Sequence, residues 1–244
     1  MSKHPNKLFI GLALSYLTMT SYGVTAAELI DQAKVTASGG FPFRITKPGS
    51  YRLSSNLTVT GSRDGIYVEA SNVTVDLDGF DMVADTGGQF VAGTAISDHG
   101  HSVGAVVIRN GTMSNWGTNI DLALCSGCTI KDLVVSAGGS GISVGSSSVV
   151  SGNVLSGGDG TGQVGNGITA GAGSRITGNI LTGWGQGMSA ASDSLISGNT
   201  VYQNLYGGIF VSCPADLIGN ISRDNPPNIS KTGAGCTFFN DNAP

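Results

Sequence analysis

Charge is what this chain has least of. Asp, Glu, Lys and Arg make up only 11% of its 244 residues, and the formal net charge is −4. Such a weakly acidic chain lacks the basic face that nucleic acid requires, so a nucleic-acid partner is excluded. Proline is also scarce, at seven residues, and aromatics amount to 7%. No long amphipathic helical pattern follows residue 40, which removes helix bundles. The apolar stretch Leu8–Leu17 is too short to cross a bilayer, so no membrane span is expected. What the chain has in excess is glycine, 39 residues, together with Ser, Thr and Asn. Gly and Asn supply the positive-φ corners that a tightly turning chain needs repeatedly.

A short pattern recurs within this glycine-rich background. Val149-Val150-Ser151-Gly152-Asn153 returns as Arg175-Ile176-Thr177-Gly178-Asn179, Leu195-Ile196-Ser197-Gly198-Asn199 and Asp216-Leu217-Ile218-Gly219-Asn220. Its asparagines step by 26, 20 and 21 residues. Looser copies precede it at Val107–Gly111 and Thr129–Leu133. The apolar residues Ile142, Ile168, Met188 and Ile209 step by the same intervals. Two strands per repeat moving in register require repeats stacked about 4.8 Å apart. One coil cannot bury its apolar face, but a stack makes a continuous core. The expectation is an all-β, single-stranded parallel β-helix of roughly nine coils at about 22 residues each. The asparagine column should be an internal ladder that satisfies backbone groups at a bend. Residues 28–36 suit a short helix that caps the N-terminal end.

The N-terminus reads as an address. Lys3, His4 and Lys7 precede Leu8–Leu17, and small residues lead to Ala26-Ala27, as in a secretory signal peptide. Residues 1–26 are therefore expected to be a leader and 27–244 one β-helix domain, secreted or periplasmic and monomeric. Four cysteines suit an oxidising compartment. Cys125 and Cys213 lie four coils apart, on the order of 19 Å, beyond the roughly 7 Å that a disulfide spans. The coil therefore pairs Cys125 with Cys128 and Cys213 with Cys236.

The segments Phe41-Pro42-Phe43-Arg44-Ile45, Asn72-Val73-Thr74-Val75-Asp76-Leu77-Asp78-Gly79, Ile108-Arg109-Asn110-Gly111-Thr112, the Ser-Gly-Asn repeats and the terminal Asn240–Pro244 resemble a family of exported bacterial right-handed parallel β-helix repeat proteins. The resemblance covers nearly the whole mature chain. It implies the pectate-lyase-like superfamily fold and an extracytoplasmic location, but no reaction. Relatives of that superfamily range from polysaccharide lyases to noncatalytic adhesins, so fold alone does not choose.

Alternation places Asp76, Arg109 and Lys131 outward on one sheet, one coil apart, with Asp121 on the next strand of the Arg109 coil. This is the densest charge cluster in the chain. Insertions between Gly79 and Ile96 and over 157–163 flank it along one edge, where solenoids carry their binding surfaces. Trp116 and Trp184 share a corner and would offer flat faces to a sugar ring. The expected function is therefore a noncatalytic module that binds glycan or another cell-envelope partner along Asp76, Arg109, Trp116, Asp121, Lys131 and Trp184. The alternative is a polysaccharide lyase, for which calcium would be the cofactor; otherwise none is expected. The ordered motifs of a β-helix hydrolase are absent. Asp98, His99 and His101 could ligate a metal, but loop histidines are more often solvated, and no metal site is expected.

Overall fold

The computed structural model describes residues 26–85, 93–158 and 165–239. Its strands, all paired in parallel, wind into a solenoid of about nine coils. Three ladders run along it, and each strand pairs with its equivalent one coil later. The first ladder starts at Glu28–Ile30 and Gly49–Leu53, and continues through Val73–Asp76 to Ala215–Ile218 and Cys236–Phe239. The second runs from Leu57–Thr60 to Ile221–Arg223, and the third from Phe43–Ile45 to Ile229–Thr232. In two coils the chain stays extended through all three ladders, as the 16-residue strands Val107–Leu122 and Thr129–Val144.

The apolar columns are those the periodicity requires. Ile142, Ile168, Met188 and Ile209 stack in register in the third ladder, and Val150, Ile176, Ile196 and Leu217 in the first. All are buried. Between the first and second ladders Gly152, Gly178, Gly198 and Gly219 sit at φ 61 to 66°. That conformation costs little without a Cβ, and it turns the following asparagine inward. Asn153, Asn179, Asn199 and Asn220 then form a continuous ladder. The backbone N–H and Nδ2 of Asn153 both donate to Asn179 Oδ1 at 3.0 and 2.9 Å, and the next two steps repeat this. Each Nδ2 also donates to a carbonyl of the preceding coil, such as Ile130 O or Val150 O. Buried backbone groups at the bend are thereby satisfied.

Two more ladders accompany it that the sequence pattern did not reveal. Ser148, Ser174 and Ser194 accept in turn from Cys128 N, Ser148 N and Ser174 N, each at 3.2 Å. Asn204 and Asn225 accept from Trp184 N and Asn204 N at 3.0 and 2.9 Å.

The N-terminal cap is shorter than expected. Helix Gln32–Ala37 begins after Asp31, whose carboxylate accepts from Lys34 N at 2.7 Å. Glu28–Ile30 is a strand instead, paired with Tyr51–Leu53. An N-cap carboxylate fixes the helix start, and the residues before it cover the edge of the first coil. Both predicted disulfides are present, Cys125–Cys128 and Cys213–Cys236, with Cα separations of 6.0 and 5.0 Å. The second ties the last coil to the one before. No described helix is long and apolar enough to cross a membrane.

Candidate functional site

The charge cluster assembles as the alternation requires, but its charges are spent on one another. Asp76, Arg109 and Lys131 stack in consecutive coils of the first ladder. Arg109 donates from Nε to Asp76 Oδ2 at 2.8 Å, and its Nη2 lies at the same distance from that oxygen. The other oxygen, Oδ1, accepts from Asp78 N and Asn110 Nδ2 at 2.9 and 3.2 Å. Burial pushes the Asp76 carboxyl up, but the Asp78 N–H, the Asn110 amide and Arg109 together hold it below the usual carboxylate range. Lys131 Nζ reaches Asp132 at 3.7 Å, and Arg52 reaches Asp78 at 3.5 Å. This is the geometry of a surface charge ladder, in which the Nε and Nη2 of Arg109 are already turned to Asp76.

The tryptophans are not where the expected stacking role would put them. Trp116 and Trp184 are buried, with exposures of 1% and 0%. Their indole N–H groups donate inward, to Met82 O at 3.1 Å and Leu155 O at 3.3 Å. A corner residue can turn in as well as out, and a large apolar ring whose one donor has a partner is stabilised inside. Neither ring is available to a sugar. The two expected insertions fall partly on 86–92 and 159–164, which lie outside the described residues, as do residues 1–25 of the expected leader 1–26 and the terminal 240–244.

Asp121 stands apart from this edge, on the third ladder. It faces Ser97 on one side and Ser143 on the other. With Thr118, Ser140, Ser143, Asn166 and Thr169 it lines a cleft of about 350 Å³. The column continues through hydroxyl-bearing residues, Ser143 to Thr169 to Ser189.

The most chemically competent group lies one coil before Asp121, at the corner after the third ladder. Tyr67 pairs with Ser97, so Glu69 and His99 meet one coil apart. The local turn is dictated by Asp98: its Oδ1 accepts from Gly100 N at 3.0 Å and its backbone carbonyl from His101 N at 2.9 Å. His99 adopts φ 49° and Gly100 φ 78° in this turn, which throws both imidazoles to one side. His101 Nδ1 lies 3.2 Å from Asp98 O. A carbonyl only accepts, so Nδ1 carries the proton and the Nε2 lone pair is left for a ligand. The His99 ring stacks on Tyr67, with centroids 3.9 Å apart and planes 10° apart. Tyr67 is itself held by its hydroxyl, which donates to Asp64 Oδ2 at 2.5 Å. That bond, with burial and the Asp64 charge, pushes the phenol up to about 12.

Glu69 supplies the anionic member. Its side chain is only 7% exposed, and Oε1 has no hydrogen-bond partner. Arg44 Nη2 lies 2.5 Å from that oxygen and His99 Nδ1 3.6 Å. The Arg44 contact is thus one of charge, without the alignment of a hydrogen bond. Donor atoms of Glu69, His99 and His101 all lie within 4.8 Å of one another. Two imidazoles and a carboxylate form a donor set for zinc or copper.

The sequence offers Asp98, His99 and His101 as possible ligands but leads to the expectation of no metal site, so the cluster is a finding of the structure. Asp98 is the wrong carboxylate, because its Oδ1 takes Gly100 N and its Oδ2 takes Leu124 N at 2.9 Å. Glu69 replaces it, 29 residues earlier in the chain. The signal that could have found it was coil arithmetic. The insertion between Gly79 and Ile96 lengthens that coil and hides the equivalence.

A search of curated proteins gives no match. Residues 53–241, most of the chain, match the family model described as periplasmic copper-binding protein (NosD). The solenoid, the Ser-Gly-Asn coils and this match agree, and the chain belongs to that family of exported, periplasmic β-helix proteins.

Proposed function

We propose that this exported β-helix is a metal-binding module that holds a copper ion at Glu69, His99 and His101. The observation that carries the reading is the convergence of three donor residues around a recessed, hydrogen-bond-deficient carboxylate oxygen. The copper named in the family description fits this donor set. Ligand bonds of 2.0–2.2 Å set neighbouring ligand atoms about 3.3 Å apart, and His99 Nδ1 and Glu69 Oε1 stand at 3.6 Å before any adjustment. When bound, copper supplies a Lewis-acidic, redox-capable centre. The chain's own residues prepare for it. Asp98 O fixes the His101 tautomer, Tyr67 fixes the plane of the His99 ring, and the burial of Glu69 keeps a negative charge at short range. The test is Cu(II) titration followed by calorimetry and electron paramagnetic resonance. One ion per chain with nitrogen ligation is expected, weakened more than tenfold in His101→Ala. Equal affinity and spectra in wild type and the His99→Ala, His101→Ala double variant would overturn the reading.

A second reading is favoured by the cleft around Asp121. Its hydroxyl and amide groups suit a polyhydroxylated ligand, and Asp121 is the one charged residue lining it. A lone carboxylate accepts from neutral sugar hydroxyls and repels uronates, so the glycan this cleft takes is neutral. An acidic glycan along Asp76, Arg109 and Lys131 is the weaker alternative, since Arg109 is already neutralised. Neutral and uronate oligosaccharide arrays separate the two. Binding to neutral chains should vanish in Asp121→Ala, and a preference for uronates lost in Lys131→Ala would move the site back to the charged edge.

A further inference from the structure

We infer that Arg44 is a built-in competitor for the metal, which makes the Glu69–His99–His101 site one of exchange rather than storage. The inference rests on the metal reading above and deepens it. Arg44 and the ion want the same atom. Arg44 Nη2 is 2.5 Å from Glu69 Oε1, the oxygen that faces His99. A transition-metal ion bonds a carboxylate oxygen at about 2.0–2.2 Å. A guanidinium and a divalent ion cannot both occupy that oxygen at such distances without strong repulsion between them. Arg44 must therefore leave as the ion arrives.

The structure also shows where Arg44 can go. Its side chain is 52% exposed, and its guanidinium carbon already lies 5.6 Å from the centre of the Tyr67 ring. Arg44, Tyr67 and Ser97 follow one another in register, coil by coil. The Tyr67 ring thus stands between the coil of Arg44 and the coil of His99, and it stacks on the His99 ring. A short swing away from Glu69 leaves the guanidinium over an aromatic face, a favourable place for it. Tyr67 serves both partners, positioning the ligand His99 and receiving the displaced arginine.

The arrangement has a thermodynamic consequence. A carboxylate only 7% exposed would be costly to leave without a counter-ion. Arg44 removes that cost in the empty protein, so the empty state is stabilised and the affinity for the ion is lowered. The same residue waits beside the ligand oxygen as the ion departs. Glu69 is never left bare, and release to an acceptor with stronger ligands needs no unfolding of the turn.

Arg44→Gln tests this, since it removes the charge while keeping a polar side chain. Cu(II) affinity and dissociation rate are measured on wild type and variant by chelator competition, in inert nitrate salt of rising concentration. The variant should bind at least tenfold tighter and release more slowly. Affinity should fall with salt more steeply in the variant than in wild type, because screening weakens the pull of Glu69 in both but relieves the repulsion by Arg44 in wild type alone. If Arg44→Gln lowers the folded fraction, Arg44→Met supplies the same comparison. Histidine-dependent binding that is equal or weaker in Arg44→Gln, or the same salt slope in both proteins, overturns the inference and leaves the metal reading intact. Absence of histidine-dependent binding in both proteins overturns the two together.

Discussion

The coils before residue 132 and those after it share three ladders, but different chemistry holds their corners. In the later coils the bend between the first and second ladders is Gly followed by inward Asn, repeated from Gly152-Asn153 to Gly219-Asn220. In the earlier coils the positive-φ position is taken by Asn110 (φ 62°) and Asp132 (φ 56°), and the polar side chains lie outside. In the Asp76 coil that carboxylate, not an internal amide, satisfies a corner N–H, whereas Leu133 N already reaches the internal Asn153 Oδ1. The difference teaches where chemistry can be placed. An internal ladder fixes the bend itself and leaves the surface to Ser and Thr. Corners satisfied from outside permit longer coils, charged pairs and the turn that presents His99 and His101. The candidate metal site therefore lies where the repeat is least regular.

Mutations can break or sharpen this contrast. The largest effect is expected for Ile176→Asp in the regular half. It buries an unpaired charge in a fully enclosed apolar column, and should abolish the folded β circular dichroism signal. Retention of that signal with an unchanged melting temperature would contradict the register. Next, serine at Cys213 and Cys236 opens a loop with a sequence separation of 23, for which chain entropy gives about 3 kcal/mol. Hydrogen exchange should rise in the last coil before the middle ones. Asn179→Ala removes an acceptor for Asn153 N and donors to Val150 O. Leaving such buried groups unsatisfied costs about 1–3 kcal/mol each, read as a lowered urea midpoint. The smallest effect belongs to the irregular half. Arg109→Ala breaks a partly exposed pair, and should cost about 0.2–1 kcal/mol. Because the folded carboxyl of Asp76 is held low, its contribution is present above the ordinary carboxylate range and fades as pH falls through the folded value. Acid titration of the melting temperature should show that loss in wild type and not in Asp76→Asn. A cost in Arg109→Ala as large as in Asn179→Ala would erase the contrast between the halves.

The sequence makes the regular half almost fully legible, because a Gly-Asn pair every 20 to 26 residues is both the cause of the bend and its signature. The cysteine pairs follow from coil spacing alone. Asn204 and Asn225 keep the same 21-residue step as Asn199 and Asn220, yet no glycine precedes them, so the second ladder goes unseen. The tryptophans show the limit of counting. Position within a coil gives the corner, but whether a corner ring turns inward depends on space and on a carbonyl such as Met82 O or Leu155 O. The candidate site needs the pairing of Glu69 with His99 across a coil of unusual length, which periodicity cannot supply.

The asparagine ladder also gives the molecule an electrical direction. From Asn153 to Asn220 the amide-to-amide hydrogen bonds all run one way, each Nδ2 donating forward to the side-chain oxygen of the next coil. Sheet backbones carry only small net dipoles, so this file of co-aligned amides is not cancelled by the strands around it. Hydrogen bonds in such a file polarise one another. The negative pole falls at Asn153 Oδ1, where the file ends on Leu133 N beside Lys131 and Asp132.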